Sequence, residues 1–125
     1  PEFYAALGEE GVRKIVDEHY ELIRNSSIKN LFPVDNEEEF ALAKKHASDF
    51  FIQFLGGPKY FQQSRGAPQM VGRHAPFRIT QKARVVWLEL YRDILEQVDA
   101  DPKAVESFWN YLNSFSTWMV NTQGE

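Results

Sequence analysis

Gly72-Arg73-His74-Ala75-Pro76-Phe77-Arg78-Ile79 sets a histidine between a basic residue and a proline turn, and no other stretch of the chain is better suited to hold a cofactor. Imidazole is the commonest protein ligand for a transition metal, and it becomes an axial ligand for haem iron when a short turn of its own backbone orients the ring. Pro76 supplies such a turn: it holds φ at about −65°, lacks an N–H and disfavours the helical region at Ala75, so a helix carrying His74 is predicted to stop just after it. A histidine before Ala-Pro is, by itself, more often a loop or core residue than a ligand. The remaining residues decide.

Competing site chemistries fail on residue type or spacing. His19 and His46 stand on different elements from His74, which is not a zinc arrangement. A di-iron bundle needs Glu-x-x-His on two helices, whereas the residues three before the histidines are Val16, Ala43 and Val71. The chain has no cysteine, which excludes disulfides, thiolate zinc sites, iron–sulfur clusters and covalent haem attachment. Gly56-Gly57 ends a helical pattern instead of opening one on a phosphate, and no serine or threonine has an acid–base partner at recognisable spacing.

The chain has 125 residues, 43% hydrophobic and 26% charged, within the range of one globular domain spanning 1–125. Aromatic residues are the excess: ten Phe, five Tyr and three Trp offer more flat rings than such a core needs, as a flat ligand would require. Fourteen basic against eighteen acidic residues give a net charge of −4, which supplies no basic stripe for nucleic acid. No apolar run approaches the roughly 20 residues of a membrane helix, and Pro1-Glu2-Phe3-Tyr4 does not resemble a signal peptide. Together with the missing cysteines this fits a cytoplasmic location.

Helices must position these groups. Val12, Ile15, Val16, His19, Tyr20 and Ile23 recur at helical spacing over 10–24. A short piece over 28–32 ends at Pro33. Glu37-Glu38-Glu39 suits the first turn of a second helix, whose stripe is Phe40, Ala43, Ala47, Phe50, Phe51 and Phe54 and whose stop is Gly56-Gly57-Pro58. The segment 58–79 supports one or two short turns at most. Thr80 caps a third helix with Ala83, Val86, Trp87, Leu90, Ile94 and Val98 on one side. Asp101-Pro102 opens a fourth, faced by Val105, Phe108, Trp109, Leu112, Phe115 and Met119. No period-two stretch competes, so the class is all-α.

Several of these pieces occur together in a known family. Phe3-Tyr4 with Leu7-Gly8, Tyr20, Leu31-Phe32-Pro33, Gly56-Gly57-Pro58, Arg65-Gly66, Arg73-His74-Ala75-Pro76-Phe77-Arg78-Ile79 and Trp87 resemble a group II truncated haemoglobin over nearly the whole chain. Gly-Gly-Pro alone is a weak signal, but Arg-His-Ala-Pro-Phe with a tryptophan at the distance of Trp87 is specific.

The resemblance implies a globin-like two-over-two helical sandwich around one haem b (iron protoporphyrin IX), with His74 as the proximal iron ligand. It puts Tyr20 and Trp87 on the opposite face, where each hydroxyl or indole donor would stabilise a ligand gathering negative charge by roughly 1–3 kcal/mol. Core packing is the competing reading of both. Phe32 stands where many relatives have Tyr or His, Ala43 where larger globins keep a distal histidine, and Ala47 where a bulky aliphatic residue is usual, so the ligand site is expected to be simple and open. Arg73 and His46 are the expected partners of haem carboxylates at the edge, with a solvated helix flank as the other reading of His46. Phe50, Phe54, Phe61, Met70, Phe77 and Ile79 are expected haem or core contacts. His19 is expected to be a packed core histidine.

The function implied is reversible binding of dioxygen at ferrous iron, with carbon monoxide, nitric oxide and cyanide as further haem ligands. The alternative is haem redox chemistry, nitric oxide dioxygenation or peroxide turnover, which would need an external reductase. A haem-free helical interaction domain is the third reading.

Overall fold

The computed structural model describes residues 2–123, and among them every regular element is helical. Six α-helices follow in order: α1 (Glu2–Arg24), α2 (Glu37–Phe54), α3 (Tyr60–Arg65), α4 (Met70–His74), α5 (Gln81–Leu95) and α6 (Pro102–Met119), with one 3-10 turn at Lys29–Leu31. Among the described residues no helix is long and apolar enough to cross a membrane.

The helix ends are where local chemistry places them. Asn36 accepts the Glu39 N–H on its side chain, Thr80 accepts that of Ala83 and Asp101 that of Lys103, which satisfies a donor that each first turn would otherwise leave unpaired. Gly56, at φ 106°, turns the chain out of α2 in a conformation that side chains with a Cβ resist. The first helix begins earlier than its periodicity predicts: residues 2–7 are also helical, joined to the rest through Gly8 at φ 69° and ψ −176°. This kink swings Phe3 onto Phe108 of α6, their rings stacked 4.3 Å apart.

The four long helices pack in two pairs. α1 lies on α2, α5 lies on α6, and α1 crosses onto both α5 and α6, which is the two-over-two sandwich expected. Val16, Ile23, Ile52 and Leu112 are wholly buried at the contacts. Burying side chains of this size contributes roughly 1.5–3 kcal/mol each. The inner face of α5 differs from the expected stripe: Leu88, Tyr91 and Leu95 are buried along with Ile94, whereas Val86 and Leu90 are only half-buried and Val98 lies beyond the helix end. Packing between two neighbours rotates and widens the buried arc, which a single stripe does not anticipate.

One buried charge ties α1 to α2. Asp49 has a side chain 1% exposed and accepts from Arg13 Nη2 at 2.8 Å and from Lys45 Nζ at 2.9 Å. Burial alone would raise its pKa, but the two cations hold it below the ordinary carboxylate range.

Candidate functional site

The helix that carries His74 is only five residues long. Gln69 turns the chain into it in the left-handed region, at φ 43° and ψ 51°, and the Arg73 N–H closes the turn on the Gln69 carbonyl at 3.0 Å. α4 does stop at His74, but not through the dihedral expected: Ala75 stays helical at φ −54° and ψ −36°. Its N–H tightens onto Gly72 O, and the Phe77 N–H bonds His74 O. The donor that Pro76 lacks, and not a displaced Ala75, ends the ladder.

This geometry decides the tautomer of the neutral imidazole. His74 Nδ1 lies 2.7 Å from the Met70 carbonyl, and since a carbonyl only accepts, Nδ1 carries the proton. Nε2 is left as the lone-pair nitrogen, with no hydrogen bond to any described residue. A backbone carbonyl holding the second ring nitrogen is the arrangement that orients metal-ligating histidines.

His74 lines a cavity of about 330 Å³, most of whose wall is apolar. Phe50, Phe61, Met70, Phe77 and Ile79, expected as contacts, all line it, and Phe115 of α6 meets His74 edge-on with ring centroids 6.4 Å apart. Phe54 does not. It is 55% exposed and stacks on Tyr111 at 4.1 Å, because one turn beyond Phe50 the end of α2 has already rotated toward solvent.

Tyr20, Phe32, Ala43, Ala47 and Trp87 also line the cavity. Tyr20 packs edge-on to Phe32 at 5.4 Å, and Trp87 lies against Tyr91 at 4.9 Å. Neither the Tyr20 hydroxyl nor the Trp87 indole N–H has a hydrogen-bond partner among the described residues. Burial raises the Tyr20 pKa well above its ordinary value, so its phenol stays protonated and able to donate.

The cavity edge is basic. Arg73 lines it, but Nε donates to Pro68 O at 2.6 Å and Nη2 to the Arg65 and Ala67 carbonyls, so most of the guanidinium closes the loop before α4. The sequence reading missed Arg65 as a site residue: it lines the cavity and donates from Nη1 to His46 Nδ1 at 3.1 Å. Burial and the nearby Arg65 lower the His46 pKa, and since a guanidinium only donates, Nδ1 is the nitrogen without a proton. Arg84 was missed too; it lines the wall while bonding Ser116 Oγ at 2.9 Å, and no local pattern distinguishes it from a surface arginine. His19 is both things at once, wholly buried and part of the cavity wall.

The residues present fit a haem. An apolar cavity offers one nitrogen donor of fixed tautomer, uncommitted donors and a basic edge for carboxylates. Among the described residues no group of three or more His, Cys, Asp or Glu could hold a metal ion. A helical sandwich closed on such a cavity is a haem-protein fold of the globin class.

The comparisons give the family. A family model described as bacterial-like globin matches residues 2–121. The group 2 truncated hemoglobin YjbI of Bacillus subtilis is 32% identical over 119 residues, covering 94% of this chain and 87% of that protein. Among solved structures, phosphate-bound Hell's gate globin IV superposes with a TM-score of 0.92 at 37% identity over 98% of this chain and 76% of that one. The truncated oxygen-avid haemoglobin of Bacillus subtilis superposes at 0.86 and 29% identity, over 97% of this chain and 100% of the other. The chain belongs to the bacterial-like globin family, as a group II truncated haemoglobin with the two-over-two fold. Haem-based ligand binding follows from that membership.

Proposed function

We propose that residues 1–125 act as one globin domain that takes haem b and binds dioxygen reversibly, with His74 Nε2 as the axial donor and Tyr20 and Trp87 as hydrogen-bond donors to the ligand. The haem supplies the iron to which diatomic ligands bind. The chain supplies the rest. The Met70 carbonyl holds the His74 proton on Nδ1 and thereby aims Nε2. Ala43 and Ala47 leave the cavity open beside Tyr20, while Phe32 adds no polar group, so selection among ligands rests on two donors. Arg65, His46 and the part of Arg73 not committed to the loop carbonyls line the cavity and would pair with the haem carboxylates.

The observation that carries this reading is the single cavity wall shared by an oriented imidazole and two unpartnered donors. The description of a Bacillus subtilis relative as oxygen-avid supports dioxygen as the ligand. The test is a visible spectrum. The reconstituted protein is expected to show a Soret band that shifts with dioxygen, carbon monoxide and cyanide, and His74→Gly is expected to lose it and regain it with added imidazole. A Soret band that His74→Gly leaves unchanged would exclude His74 as the ligand.

A further inference from the structure

His19 is a polar residue where an apolar one would pack. Its ring is 0% exposed, stacked on Tyr91 at 3.5 Å and edge-on to Trp87 at 5.2 Å, so it has no room to turn. Nε2 lies 3.0 Å from the Trp87 carbonyl and must donate to it. That leaves Nδ1 as an acceptor, and Nδ1 is buried with no partner. A phenyl ring would fill the same space without stranding a lone pair.

The one thing that the imidazole adds is its bond to Trp87. Among the described residues it is the sole side-chain hydrogen bond joining α1 to α5, and it meets the backbone of the residue whose indole lines the cavity. Tyr20, the next residue along α1, lines the same cavity. One imidazole therefore registers the helix bearing one ligand donor against the helix bearing the other.

We infer that His19 is a positioning residue: its Nε2–H clamps the Trp87 backbone and so sets where the Trp87 indole N–H sits relative to the Tyr20 hydroxyl. The inference rests on the proposed roles of these two donors. Burial holds the imidazole neutral, its pKa lowered to about 3, so its one proton is the Nε2–H given to the Trp87 carbonyl.

The test compares His19→Phe, which keeps the ring and removes the donor, with His19→Gln, whose amide N–H can reach the same carbonyl. In the apoprotein, His19→Phe is expected to shift the Trp87 indole N–H resonance, assigned by its loss in Trp87→Phe, and to change the melting temperature by no more than about 4 °C. In the haem-loaded protein it is expected to change the oxygen release rate by roughly three- to tenfold, the effect of one misplaced hydrogen bond. His19→Gln is expected to restore both readouts in part. In a Trp87→Phe background the substitution is expected to add nothing to release. An unmoved indole resonance in His19→Phe overturns the clamp, whatever Trp87→Phe does. The same release change with and without the Trp87 indole overturns it also. If Trp87→Phe alone leaves release unchanged while the resonance does move, the clamp stands and the donor role of Trp87 falls.

Discussion

Tyr20→Phe removes one oxygen and should separate ligand chemistry from stability. The ring of Tyr20 is held by Phe32 at 5.4 Å, Phe40 at 5.6 Å and the edge of His19 at 6.3 Å, and a phenylalanine retains all three contacts. The hydroxyl itself bonds nothing among the described residues, so deleting it breaks no internal hydrogen bond and spares a desolvation cost of up to about 1–3 kcal/mol. The melting temperature should therefore hold or rise. Ligand release should move the other way: losing one donor to a ligand carrying negative charge is worth roughly 1–3 kcal/mol, or about 5- to 150-fold in the dissociation constant. Most of that appears in the off-rate, because the cavity opening is untouched. Stopped-flow displacement of oxygen by carbon monoxide reads the rate, and circular dichroism reads the melt. An unchanged off-rate would refute the donor role; a large drop in melting temperature would show that the hydroxyl has a structural partner.

Three further outcomes are expected. Asp49→Asn should destabilise the protein by roughly 1–3 kcal/mol in urea at neutral pH, less than for a sealed ion pair because Arg13 and Lys45 are themselves partly exposed. Since the folded pKa of Asp49 is depressed, its contribution is present above the unfolded value of about 3.9 and lost as pH falls through the folded one, so variant and parent should converge in acid. Thr80→Ala should cost about 1 kcal/mol by removing the cap on α5, measurable as a lower denaturation midpoint. Phe54→Ser should leave the haem spectrum unchanged, because this ring stacks on Tyr111 outside the cavity; a shifted Soret band would place it back among the contacts.

Much of the fold is legible in local sequence. Asn36, Thr80 and Asp101-Pro102 start helices, and Gly56 stops one, through hydrogen bonds and dihedrals that reach only a few residues. The helix before Gly8 escaped the periodicity because it is too short to show one and bends where it joins. The arc of α5 escaped because two packing partners, α1 and α6, decide which side is inside.

The sequence by itself determined that the chain is helical and that His74 ends a short helix. Tertiary structure alone decided which arginine meets His46, 19 residues away. It alone turned Phe54 out and made His19 a bond to Trp87, 68 residues away. Helix ends and the proton on the His74 ring obey neighbours along the chain; the facing of Phe54 and the bond of His19 obey neighbours in space, which only the packed helices bring together.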